Sequence, residues 1–143
     1  MMSVYIIDRQ HIKSPDIEAV RTLLAPVTVA LEIEALDVEI ELLDDQQIAR
    51  LNEKFFSRSR PTNVISFPLA EDRGHLGNIV VSLETVERET EGLGYSLDEA
   101  IVYYLIHGLL HLLGFEHVDV EPAEAARMEK RQDELFDLAL GAS

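Results

Sequence analysis

One segment, residues 96–111, constrains the fold more than any other. Ser96-Leu-Asp-Glu99 is a capping box, the pairing that opens a helix by satisfying its first free N–H groups. The helix then runs through Ala100, Ile101, Leu105 and Ile106 to His111 with apolar residues on most sides. A helix of that kind has to be buried, so the other elements are expected to pack around it. Near its end, His107 and His111 stand four residues apart, on one face and about 6 Å apart along the axis. Gly114 suits the left-handed turn that ends a helix, after which the chain doubles back and can bring His117 to the same point. Three neutral imidazoles suit Zn²⁺, and three protein ligands leave a fourth position for water, the arrangement of a catalytic ion. One zinc per chain on His107, His111 and His117 is expected. A lone histidine on an apolar helix is usually just a hydrogen-bonded residue, but here three of the five histidines fall within eleven residues. His11 and His75 have no such neighbours and read as loop or surface residues.

The spacing H-x-x-x-H-x-x-G-x-x-H is also that of the metzincin proteases, whose first histidine is followed by a glutamate that serves as general base. Here that position is Gly108. Without the base, peptide hydrolysis lacks the group that takes the proton from water and passes it to the leaving amine. Glu116 either substitutes for it or orients a ligating imidazole; both roles stay open.

At 143 residues with 47% apolar content, the chain is expected to form a single domain with a core of its own. Cysteine is absent, which removes disulfides and thiolate ligands and fits a reducing compartment. The apolar run before Asp8 and Arg9 is too short for a signal peptide, and no run is long enough to span a bilayer, so a soluble cytoplasmic protein without membrane contact is expected. The formal charge of −15 would ordinarily argue against a nucleic-acid partner, since phosphate neutralisation supplies most non-specific affinity. Its distribution is uneven: between Gln46 and Ala70 stand Arg50, Lys54, Arg58 and Arg60 against Glu53 alone. That patch is either anion-facing or a solvated loop.

Along the chain, Val4-Tyr-Ile-Ile7 reads as a strand, and Ser14-Pro15-Asp16 as a helix start with Ser14 as cap. Leu36–Leu42 alternates apolar and acidic residues, a strand with one wet face. Asp44-Asp-Gln-Gln47 opens a second helix, broken by Phe55–Pro61. Strands follow at Thr62–Phe67 and Gly77–Ser82 in a hairpin-like region, then a polar helix over 84–91 closed by Gly92 and Gly94. A last helix begins near Pro122, with Met128, Leu135, Phe136 and Leu138 as its apolar stripe; Met128 reads as core in preference to a Met-turn. Together these give an α+β fold: a small mixed sheet of four strands packed with five or six helices, the metal-bearing helix at its centre.

The histidine motif, preceded by Leu51-Asn52, Pro61-Thr-Asn-Val-Ile-Ser-Phe-Pro68 and Gly77-Asn-Ile79, resembles the YbeY family of bacterial rRNA-maturation factors. The likeness spans residues 50–117, with Met128-Glu-x-x-Gln-x-Glu-Leu-Phe136 agreeing more loosely. It implies a single-strand-specific endoribonuclease with zinc on the three histidines. The implied role is small-subunit rRNA 3′-end processing and ribosome quality control, with single-stranded rRNA and the small subunit or its proteins as partners. Two departures stand out. Glu116 replaces the family's common Asp, and Phe56 occupies the place of an arginine six residues before Thr62, so Arg58 or Arg60 is expected to meet the substrate instead. Phe56 itself reads as core, since it follows a helix that must bury something, with base stacking as the alternative. The nucleophile, a zinc-activated water or the ribose 2′-OH, stays open. Other readings are a metal-dependent hydrolase of another substrate, peptides included, and a binding module without turnover whose acidic surface docks basic ribosomal proteins.

Overall fold

A computed structural model describes residues 3–68, 74–115 and 120–141. Glu116 and His117 lie outside these. The element order is β1 (Ser3–Asp8), α1 (Ile17–Ala30), β2 (Asp37–Leu43), α2 (Asp45–Phe56), β3 (Val64–Pro68), β4 (His75–Ser82), α3 (Leu83–Thr90), α4 (Leu97–Leu112) and α5 (Pro122–Leu140). The four strands form one mixed sheet in the order β1-β2-β4-β3. β2 is parallel to both β1 and β4, and β3 runs antiparallel to β4 at the edge opposite β1. This is the α+β architecture expected from the sequence, with five helices.

Alternation along the strands divides the interior in two. Val38, Ile40 and Leu42 of β2, with Ile79 and Val81 of β4, join the larger core with Val20, Leu24 and Val27 of α1, Ile101, Leu105 and Leu109 of α4, and Leu135 of α5. Residues of opposite parity, Ile65 and Val80, meet Leu43 and Ile48 in a smaller core, against which Leu51 and Phe67 also pack. Helix α4 contacts α1, α3, α5, β3 and β4, the position its all-round apolar sequence requires.

Helix starts are where local chemistry is most legible. Asp44 accepts from the Gln47 N–H while the Gln47 side chain accepts from the Asp44 N–H, and Ser96 and Glu99 do the same for α4. In α1 the cap is Asp16 in place of Ser14. Its N–H donates to the Asp98 carboxylate (2.9 Å), it stays extended at φ −96°, and its own carboxylate caps Ala19 (3.1 Å). Pro15 therefore lies outside the helix. His75 is not in a loop: it opens β4, with Nε2 3.1 Å from Asn78 Oδ1. In α5 the inward stripe is Met128, Gln132, Leu135, Phe136 and Ala139, while Leu138 is 46% exposed because it falls between the inward positions 135, 136 and 139. Among the described residues no helix is long and apolar enough to cross a membrane.

Close approach sets the position of α4 on the sheet. The Ser66 hydroxyl donates to the Gly108 carbonyl (2.9 Å), and a Cβ on Gly108 would come 3.0 Å from Ile79 Cγ2 and 3.1 Å from Ser66 Oγ. A Cβ on Gly77 would meet the Phe67 carbonyl oxygen at 2.7 Å and Leu112 Cδ2 at 2.8 Å. Small residues at these points let helix and sheet meet. Gly108→Glu, which would restore a metzincin-type base, is therefore expected to cost more than about 3 kcal/mol, through overpacking and a buried unpaired carboxylate. Gly108→Ala should change stability little, because a helix-interior gain of about 1 kcal/mol offsets the crowding. Chemical denaturation of the two variants checks this ordering.

Candidate active site

His107 and His111 project from the last two turns of α4, and their Nε2 atoms are 3.0 Å apart. The rings cross at 76° with centroids 4.6 Å apart, so the two side chains converge on one point. Both are half-buried at the floor of a cleft of about 1300 Å³. His107 Nδ1 lies 2.8 Å from Oε1 of Gln132, a buried residue of α5. The Gln132 atom facing Nδ1 is the amide oxygen, an acceptor, so Nδ1 carries the proton and Nε2 presents its lone pair. Burial first, and nearby Asp133 and Glu129 next, push the Tyr103 phenol above its ordinary range, so it stays protonated.

The turn after α4 has the geometry the glycine suggested. Gly114 adopts φ +96°, its N–H donates to the His111 carbonyl (3.0 Å), and the Phe115 N–H donates to the Leu110 carbonyl (2.9 Å). This paired closure is a Schellman motif, which ends α4 at Gly114. Met128 is 1% exposed and belongs to the larger core, as a core methionine should.

Arg58 and Arg60 both line the cleft, on a loop that one buried residue organises. The Asn52 carbonyl accepts from the Arg58 N–H (3.3 Å), and its side-chain amide donates to the Arg60 carbonyl (3.0 Å). A third cation, Arg88 of α3, reaches the same cleft and is held by Asp45. The Asp45 carboxylate accepts from Arg88 (2.7 Å), Thr85 (2.6 Å) and Ser82 (2.7 Å). Beside Arg88 in the same cleft, Tyr104 Oη and Asn63 Nδ2 both donate to Glu89 Oε1 at 2.9 Å. Burial, and then that hydrogen bond, hold the Tyr104 phenol protonated far above its usual range. Phe56 is not core: it is 50% exposed and lines the cleft, because α2 ends there with Ser57 in the left-handed region at φ 56°.

Arg88 and Tyr104 are site residues that no motif along the chain reveals, and Gln132, the Gln of the loosely agreeing 128–136 block, takes no role from it. Its further signal is its place as a polar residue in the apolar stripe of α5, four residues after Met128 and three before Leu135.

A family model for endoribonuclease YbeY matches residues 2–139. The chain belongs to the YbeY family. The endoribonuclease YbeY of Syntrophus aciditrophicus is 32% identical over 146 residues, covering 98% of this chain and 91% of that protein. Its counterpart from Geobacter metallireducens is 33% identical, covering 94% of each. The solution structure of a Thermotoga maritima protein aligns with a TM-score of 0.67 at 26% identity, over 99% of this chain and 90% of that one. The sequence blocks that resemble the YbeY family meet in space. Asn52 holds the basic loop, Ser66 of β3 binds Gly108 of α4, and Gly77 fits between Phe67 and Leu112.

The Asp45 cluster has a defined pH signature. Burial raises its pKa, but the hydrogen bonds from Arg88, Thr85 and Ser82, with the charge of Arg88, outweigh that and hold the carboxyl below its ordinary range. A depressed carboxylate contributes stability that is present above its unfolded pKa and lost as pH falls through its folded one. Asp45→Asn should therefore be less stable than the parent by roughly 2 kcal/mol at pH 7. The gap should narrow below about pH 4 as the parent's carboxylate protonates. Urea denaturation across that range checks both the size and the direction.

Proposed function

We propose that this chain is a zinc-dependent endoribonuclease acting on single-stranded rRNA in the cytoplasm, in maturation of the small-subunit (16S) rRNA 3′ end and in ribosome quality control. The observation that supports it is the convergence of His107 and His111 Nε2, 3.0 Å apart, in a cleft that also holds Arg58, Arg60 and Arg88. Two nitrogens bound tetrahedrally to zinc at about 2.0–2.1 Å would stand about 3.4 Å apart, so this pair needs to open by only a few tenths of an ångström. Among the described residues no three candidate ligands come together. The proposed third ligand is His117, with Glu116 next to it as an orienting or proton-transferring carboxylate.

Bound there, zinc would activate a water or polarise a phosphoryl oxygen. The chain's own residues do the rest. Gln132 keeps the Nδ1 proton on His107 so that Nε2 faces the site. Arg58 and Arg60 carry positive charge to the cleft, where phosphate oxygens would lie, on a backbone pinned by Asn52. A peptidase reading is disfavoured by Gly108, which packs against Ile79 and Ser66, leaving no room for the missing base. The net charge of −15 favours one competing reading, a module that docks basic proteins of the small subunit without turnover.

Incubation with single-stranded RNA and with casein, each with and without chelator, separates the three: the nuclease cuts only RNA, and only without chelator. His111→Ala should fall from about one zinc per chain to well under one by elemental analysis, and lose RNA cleavage. Arg58→Ala combined with Arg60→Ala should leave zinc unchanged and reduce the slope of log affinity against log salt by up to about 2. An unchanged slope would assign these arginines to solvation of the loop.

A further inference from the structure

Phe55 and Phe56 are 53% and 50% exposed at the C-terminus of α2. Neither is loose. The Phe56 ring lies over Phe67 with planes 27° apart and centroids 6.4 Å apart, and Phe55 meets Phe67 edge-on at 5.2 Å. Phe67 in turn packs against the smaller core. Phe56 is thus an aromatic ring held on a fixed base, half open, on the wall of the cleft that holds the two histidines.

We propose that Phe56, seated on Phe67, is a stacking platform for one unpaired nucleobase. The inference rests on the nuclease reading and adds a base subsite to it. Three observations select this occupant. Arg58 and Arg60 line the same cleft a few residues further on, so a base on Phe56 would have its flanking phosphates beside positive charge. The chain as a whole carries a formal charge of −15, which disfavours phosphate away from local clusters of positive charge such as this one. An apolar cap over the smaller core would need neither an aromatic ring nor half of it exposed. A base within a duplex has both faces covered by its neighbours, whereas an unpaired base can offer one to Phe56. The platform therefore selects single strands without selecting sequence, since every base has a π face.

The test compares two fluorescein-labelled 2′-O-methyl oligouridylates of equal length and charge, one carrying abasic positions, with probe integrity checked on a gel. The parent should bind the intact probe about ten-fold or more tighter than the abasic one, the range expected for base–aromatic stacking. Phe56→Leu, which keeps an apolar contact with Phe67, should bind both probes alike, and Phe56→Tyr should restore the preference. The chain has no tryptophan, so Phe56→Trp adds a lone fluorophore that the intact probe should quench and the abasic probe should not. Equal binding of both probes by the parent, with salt dependence retained, would overturn the platform and leave the nuclease reading standing. The platform is equally overturned if Phe56→Leu keeps the parent's preference, or if an apolar peptide quenches the Phe56→Trp variant where RNA does not. A parent that binds neither probe would overturn both readings.

Discussion

The contact between α4 and the β3–β4 pair is the constraint from which the cleft follows. Gly108 brings the helix backbone against Ile79, Ser66 ties β3 to that backbone, and Gly77 lets Leu112 lie over the strand. Were the helix a side chain's width further away, the histidines would no longer stand beside the strand that forms the opposite wall. The same contact explains why position 108 holds no acid: the face that would carry one is occupied by packing. Loss of a protease-type base and gain of a close helix–sheet junction are one structural fact.

The site is assembled from elements far apart in sequence by polar side-chain contacts. Gln132 reaches from α5 to His107, and Asp45 gathers Ser82, Thr85 and Arg88 to join α2 to α3. Asn52 holds the loop that bears two of the cleft's cations. Gln132 and Asn52 are buried where an apolar side chain would pack but could not orient a partner. A buried polar group with its bonds made fixes one arrangement among several of similar packing energy.

Local signals are legible in the chain and relational ones are not. The capping boxes at Asp44 and Ser96, the i, i+4 histidines and the Gly114 turn all depend on neighbours within a few residues, and the structure places each as the sequence suggests. Ser14 reads as a cap in the sequence, yet its rival Asp16 takes the position because Asp98, a residue of another helix, holds it extended. Strand order, the reach of Arg88 into the cleft and the role of Gln132 likewise depend on which elements become neighbours. Phe56 reads as core because hydrophobic residues usually go there. Its exposure follows from where α2 stops, at a non-glycine residue in the left-handed region, which no helical pattern foretells.

The two bonds that Asn52 makes to the basic loop have a consequence in conformational entropy. Ordering a free residue costs about 1–2 kcal/mol, which a floppy cationic loop would have to meet each time it closed on a polyanion. Here the backbone at Arg58 and Arg60 is fixed already when the chain folds, through the burial of one amide. A ligand would therefore meet a loop whose backbone is already set, so less of its interaction energy would be diverted into freezing the receptor. The ordering is supplied by folding itself, and Asn52 would link folding stability to any binding by the loop.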